Sequence, residues 1–380
     1  MATTTARDDR TPAAALLGEL SGAVADLGTF LPLVIGVLAV GGFDAAGVLT
    51  GFGLFALAVA VFYRRPVPVQ PMKAVSALAI VGALSAGQAM ATGIVLGLVL
   101  LVLAATGAIG RLARVLPESV ILGIQAGVGL HLALLGARHV AEGAAFGVPG
   151  LVALVLLSIT PLRSFAALAV VAAATAVALG TGGAVAWPAP GLHLPLPAWP
   201  ALADFRDATL TAVVPQLALT VTNAVLATAA IAGDFFPADR ARLGAGRLAA
   251  STGVLNLALA PLGALPMCHG AGGLVAQHRF GARSWGAPAV FGALCLVLGL
   301  GFGDGARTLL ALVPLGAVGA LLLVAGAEMA AGRKVLALDG PGRAVALVTA
   351  LTCVGVNVAA GLVAGLVLEL ARRAWMRRRG

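Results

Sequence analysis

Apolar runs bounded by charge, proline or glycine clusters dominate the chain and set its predicted elements. Helices are expected near 13–40, 46–62, 71–84, 90–109, 118–136, 148–160 and 165–181. A proline-rich stretch from Trp187 to Pro200 follows, with Trp187 and Trp199 suited to a membrane interface. A second set is expected near 208–232, 243–260, 266–276, 285–302, 307–327, 343–356 and 358–374. The pattern is seven spans followed by seven more.

Composition moves these helices into a bilayer. Of 380 residues, 60% are hydrophobic and only 10% charged, whereas a soluble domain carries about 25% charged residues. Mean hydropathy is +1.04. The fold class expected is an all-α polytopic membrane protein with 14 transmembrane segments. The net charge of +9 does not point to nucleic acid, because the basic residues sit in short clusters between apolar runs. With both termini on the cytoplasmic side, the terminal segments and even-numbered loops hold 20 of the 24 Lys and Arg. That asymmetry is the positive-inside signature, and the expected location is the cell (inner) membrane. Only Arg138, Arg206 and Arg307 fall on the other side, and Lys73 lies inside a span. Cys268, Cys295 and Cys353 have no metal-ligand spacing, so no metal or cofactor is expected. Ala23-Val24-Ala25 has the look of a signal-peptidase site, but the apolar stretch continues to Val40, so no cleaved signal is expected.

An internal repeat supports the count. Pro71-Met72 recurs as Pro266-Met267, 195 residues on, and Leu116-Pro117 is matched by Val313-Pro314. Seven spans is an odd number, so two such copies lie inverted in the membrane. The expected domains are a first repeat over 1–186, a connecting loop over 187–207 and a second repeat over 208–380.

The two Pro-Met segments carry the chemistry. Segments 71–84 and 266–276 would rise only about 16–21 Å as helices, short of the ~30 Å hydrocarbon core. Each follows proline-punctuated chain, Pro66-Val67-Pro68-Val69 and Pro261-Leu262-Gly263-Ala264-Leu265. They read as two half-helices whose N-termini face each other at the midplane and form an anion site, or else as ordinary Pro-kinked helices. Two polar stripes flank them: Glu19, Gly22, Asp26 and Thr29 on span 1, and Gln216, Thr220, Asn223, Ala227 and Asp234 on span 8. An acid at mid-membrane costs about 2.5–3.5 kcal/mol on insertion scales, so Asp26 carries a proton, holds the site, or bonds a neighbouring helix. Glu19 is nearer the cytoplasmic end, where interface solvation serves as well. Lys73 adds positive charge for an anion, pairs with Asp26, or snorkels. His269 is either a proton carrier or a neutral hydrogen-bonding group. His131 reads as a packed residue, and Gly123/Gly127, Gly299/Gly303 and Gly361/Gly365 read as helix-packing pairs. Gly51-Phe52-Gly53-Leu54-Phe55-Ala56 matches a dinucleotide motif but lies inside a span, and no Walker motif occurs.

Four segments together resemble one family. Gly22-Ala23-Val24-Ala25-Asp26-Leu27-Gly28-Thr29-Phe30-Leu31-Pro32, Val69-Gln70-Pro71-Met72-Lys73-Ala74, Pro215-Gln216-Leu217-Ala218-Leu219-Thr220-Val221-Thr222-Asn223-Ala224 and Pro266-Met267-Cys268-His269-Gly270-Ala271-Gly272-Gly273-Leu274 are similar to the signature segments of the molybdate-transporter family. That family is the compact branch related to the sulfate permeases (SulP). The resemblance implies two inverted seven-helix repeats like those of uracil permease. It also implies a core of spans 1–4 and 8–11 moving against a gate of spans 5–7 and 12–14. The expected function is secondary active transport of a tetrahedral oxyanion, molybdate first and sulfate second, with protons as the coupling ion. The alternatives are a nucleobase permease of the same fold and an anion channel. Expected substrate-binding residues are Thr29, Gln70, Met72, Lys73, Gln216, Thr220, Asn223, Met267, Cys268, His269 and Gly270. Asp26 and His269 are the proton-coupling candidates. Membrane lipid and a second copy in a homodimer are the other expected partners.

Overall fold

The computed structural model describes residues 11–25, 27–111, 117–160, 165–181, 187–331 and 333–377. Its first span is bent: α1 (Pro12–Ala25) and α2 (Leu27–Val40) meet at 43°. The core continues through α3 (Ala45–Tyr63), the two-residue strand β1 (Gln70–Pro71), the short α4 (Lys73–Ile80) and α5 (Ala86–Thr106). Local chemistry sets these ends. Asp44 accepts the N–H groups of Ala46 and Gly47 to start α3, and Ser85 with Gln88 forms a capping box before α5. The helices α6 (Glu118–Glu142), α7 (Ala144–Ser158) and α8 (Ala166–Thr181) close the first repeat.

The second repeat opens on one long rod. It comprises α9 (Leu202–Ala208), α10 (Val214–Leu219) and α11 (Thr228–Phe235), joined by π-helical stretches at Thr209–Val213 and Thr220–Ala227. Then come α12 (Ala245–Leu259), strand β2 (Met267–Cys268), α13 (Ala271–Arg279), α14 (Gly286–Phe302) and α15 (Gly305–Ala311). The chain ends with α16 (Leu315–Ala330), α17 (Arg333–Ala337), α18 (Gly340–Gly355) and α19 (Val358–Arg377).

Packing reproduces the inverted repeat. The helix α3 packs along α14, and α5 packs along α12; exchanging the two repeats turns one pair into the other. The helix α6 packs against α16, α18 and α19. Glycine makes these approaches: a Cβ on Gly123 or Gly127 would overlap α18 at Thr349 or Cys353, and one on Gly129 would overlap α16 at Met329. Glu19 ties α1 to the start of α14 by accepting the N–H groups of Arg283, Ser284 and Ala287, each at 2.9 Å. Arg65, just after α3, bonds Asp239 beyond α11 at 2.6 Å and so ties the two halves of the core.

Five described helices are long and apolar enough to cross a membrane alone, or seven when each bent pair counts as one span. Helix length and apolar composition by themselves give fewer spans than the fourteen segments expected, two of which are half-helices. The half-helices α4 and α13 are short because each follows extended chain at membrane depth. The helices α7, α8 and α18 are shorter apolar pieces of 15 or 16 residues; α7 packs on α16, and α18 on the 25-residue α6.

Candidate anion site between the half-helices

The strands β1 and β2 pair antiparallel, with Gln70 opposite Cys268 and Pro71 opposite Met267. The repeated Pro-Met dipeptides thus meet each other at the centre of the core. Extended backbone away from water must be satisfied by protein, and here it is. Met72 N–H donates to the Pro266 carbonyl at 2.9 Å. Asn256 on α12 accepts the Met267 N–H at 2.9 Å and donates to its carbonyl at 2.6 Å. From this crossing, α4 and α13 start in opposite repeats with their N-termini turned to a shared space.

One first-turn donor of α4 is already used, since Ala74 N–H donates to Gln216 Oε1 at 3.0 Å. Gln216 in turn donates from Nε2 to the Thr220 hydroxyl at 3.0 Å. The N–H groups of Lys73, Ala271 and Gly272 have no acceptor among the described residues. They leave a partial positive charge at both helix starts, the physical basis of anion binding at helix N-termini.

A cavity of about 330 Å³ opens at these donors. Gln70, Lys73, Gln216, Asn223, Cys268, His269 and Gly270 line it, together with Ala271 and Gly272. Lys73 is exposed to it while Ala74–Ile80 behind it are all buried. Gly270 is required there: a Cβ would overlap the Gln70 side chain. Asn223 and Thr220 fall in the π-helical stretch Thr220–Ala227, and π turns recur at functional sites.

Other expected residues lie elsewhere. Thr29 faces a second cavity of about 380 Å³, which shares Gln70, Lys73 and Gly272 with the first. Met72 and Met267 are fully buried in the hydrophobic core, and neither lines either cavity. Thr220 is buried and holds Gln216. His269 is 1% exposed, and both its ring nitrogens are engaged. Nδ1 donates to the Pro68 carbonyl at 3.2 Å, and Nε2 meets the Ser251 hydroxyl at 3.0 Å, which continues to Tyr63 at 2.7 Å. Asp26 lies outside the described residues.

The helices α6, α16 and α17 supply residues that sequence reasoning did not select. Leu122 and Gln125 of α6, Met329 of α16 and Lys334 of α17 line the first cavity. Glu328 of α16 lines the second, across from Lys73. An ionisable residue inside an apolar helix is the available signal for Glu328.

Two inverted repeats, a core packed against a gate, and a cavity of positive helix ends between them define a membrane anion transporter. Solved structures carry the same fold. The transmembrane domain of a cyanobacterium bicarbonate transporter, BicA, superposes with a TM-score of 0.65 at 17% identity, over 94% of this chain and 98% of that one. Murine SLC26A9, an anion transporter in the inward-facing state, gives 0.66 at 15% identity, over 97% of this chain and 69% of that one. The family described as "Molybdate transporter of MFS superfamily" matches residues 18–132 and 208–329. The chain is 30% identical to molybdate transporter 2 of Arabidopsis thaliana, over 93% of this chain and 87% of the relative. It is also 30% identical to molybdate transporter 1 of Chlamydomonas reinhardtii, over 92% and 90%. The chain belongs to the molybdate transporter family.

Proposed function

We propose that the protein carries a tetrahedral oxyanion, molybdate first and sulfate second, by proton-coupled secondary transport. The observation that carries this reading is the cavity where both half-helix N-termini and Lys73 converge, enclosed on its far side by the gate. A tetrahedral dianion presents four acceptor oxygens, which matches converging backbone N–H donors and one ammonium group better than a planar base does. The names of the relatives support molybdate as the first substrate to test.

The site is built across two packing groups, and that supports movement of the core (spans 1–4 and 8–11) against the gate (spans 5–7 and 12–14). In this reading both termini are cytoplasmic, the membrane is the cell's inner membrane, and two copies form the working assembly. Asp26 carries the coupling proton, while His269 acts through Pro68 and Ser251 to hold the strand crossing. The deciding experiment is uptake of labelled molybdate and sulfate into proteoliposomes under imposed pH and potential gradients. Saturable uptake competed by the other oxyanion is expected, and absence of uptake of either anion under every gradient overturns the proposal.

A further inference from the structure

The chain contains 22 arginines but only two lysines, Lys73 and Lys334. They are 261 positions apart in the sequence, on opposite sides of the core–gate division, yet both line the same cavity. Lys73 is the first residue of the core half-helix α4. Lys334 belongs to α17, directly after α16, and is exposed.

Several arginines of the basic face are committed to carboxylates. Arg65 and Arg242 pair with Asp239 at 2.6 and 3.7 Å. Arg372 and Arg373 both pair with Glu369 at 2.9 Å. Among the described residues neither lysine has a carboxylate within the 4.0 Å that defines an ion pair. Lys73 and Lys334 are the cations among the residues that line this cavity.

The residue type fits a transported ligand. Arginine's planar fork locks an oxyanion in a fixed bidentate geometry, whereas the lysine ammonium is a compact point charge on a flexible stem with rotatable donors. It follows a tetrahedral anion as it turns and lets it leave. A chain that uses arginine nearly everywhere else has lysine at both positions where a dianion would be passed on.

We propose that Lys334 is a substrate-contacting residue, a second cation that the gate contributes, so that a doubly charged oxyanion in the cavity is held between Lys73 and Lys334. This rests on the oxyanion-transport reading above. One ammonium suffices for a singly charged anion, so the second lysine makes the cavity selective for dianions. Because one lysine rides on the core and the other on the gate, a bound dianion also draws the two groups together.

The small lysine count gives a clean test on the full chain in lipid nanodiscs. An amine-selective acylating reagent is applied with and without molybdate or sulfate, and with nitrate as the monoanion control. Peptide mass spectrometry then reads the labelling rate at each lysine. The oxyanions should slow acylation at both Lys73 and Lys334, and nitrate should not protect Lys334. Calorimetric binding should weaken about tenfold for the dianions in Lys334→Gln, while Lys334→Arg keeps most of the affinity. Protection at Lys73 alone, or unchanged dianion affinity in Lys334→Gln, overturns the role of Lys334 and leaves the transport reading standing. Protection at neither lysine, with no calorimetric binding of either oxyanion to the unaltered protein, overturns both.

Discussion

Gln216 Oε1 accepts the N–H of Ala74 at 3.0 Å, so a side chain on the long rod of the second repeat caps the half-helix of the first. The cap fills one donor of α4 and leaves that of Lys73 facing the cavity. Gln216→Glu keeps an acceptor in place but adds negative charge beside the anion site. Folding should survive, and oxyanion affinity should fall about tenfold or more, since unit charges 4 Å apart interact by several kcal/mol even at an effective dielectric of ~20. Gln216→Leu removes the cap as well and should cost about 1 kcal/mol of stability. Paired thermal-unfolding and binding measurements separate the two: equal affinity in Gln216→Glu and the unaltered protein would count against this placement of the site.

Glu19 performs a related task for α14. Its carboxylate accepts three backbone N–H groups and the Ser284 hydroxyl, all of them partly buried. Glu19→Ala should destabilise the protein by about 2–3 kcal/mol, the range for losing hydrogen bonds to a charged group. Glu19→Gln should recover part of it. The substrate KM of Glu19→Gln should stay near that of the unaltered protein, and a large KM change with normal stability would move Glu19 from support to binding.

The sequence showed the site's frame better than its lining. Pro71-Met72 and Pro266-Met267 marked the crossing because a repeated proline reports a repeated backbone shape, and the strands do pair there. Their methionines are buried instead of lining the cavity, since a repeat preserves packing as readily as ligand contact. On span 8, Gln216 to Asn223 reads as an ordinary helical stripe; the π turn between them follows from tertiary packing, which no local propensity encodes. Span 12 is expected to end at residue 327, but α16 continues to Ala330. That short boundary error left out Glu328 and Met329. Lys334 sits in what reads as a solvated basic loop, and only the fold brings it to the cavity.

Glu328 faces Lys73 from the gate across the second cavity. A carboxylate there competes with an anion for the same ammonium group, so it acts as a resident counter-charge in the empty carrier. Glu328→Gln should raise oxyanion affinity several-fold and slow its release. Rapid-exchange measurements in proteoliposomes give both quantities. A loss of affinity in Glu328→Gln would mean that the carboxylate supports the site instead of opposing it.

Asn256 holds both the N–H and the carbonyl of Met267. Asn256→Leu leaves two backbone groups unpaired at membrane depth, where each costs about 1–3 kcal/mol. Its expected signature is a large drop in unfolding temperature together with lost binding. Asn256→Asp supplies an acceptor but, when ionised, no donor, and should fall between the two. Normal stability in Asn256→Leu would show that the strand crossing does not depend on this bridge.

Charge movement gives Asp26 its test. Bringing a dianion into a negative-inside compartment costs about 2.3 kcal/mol per charge per 100 mV, or about 4.6 kcal/mol for two charges. Uptake without a compensating cation therefore runs outward. Two protons per anion make the step electroneutral, and more than two let the potential drive entry. Asp26 is the proposed proton carrier because the charged form of a carboxylate opposes an anion and its neutral form does not. Asp26→Asn fixes that neutral form. Exchange of labelled for unlabelled molybdate should persist in this variant, while accumulation driven by a pH gradient should disappear. If gradient-driven accumulation stays at the unaltered level, Asp26 is not the coupling group. The same pair of assays on His269→Gln then asks whether the ring held between Pro68 and Ser251 moves a proton or only fixes the crossing.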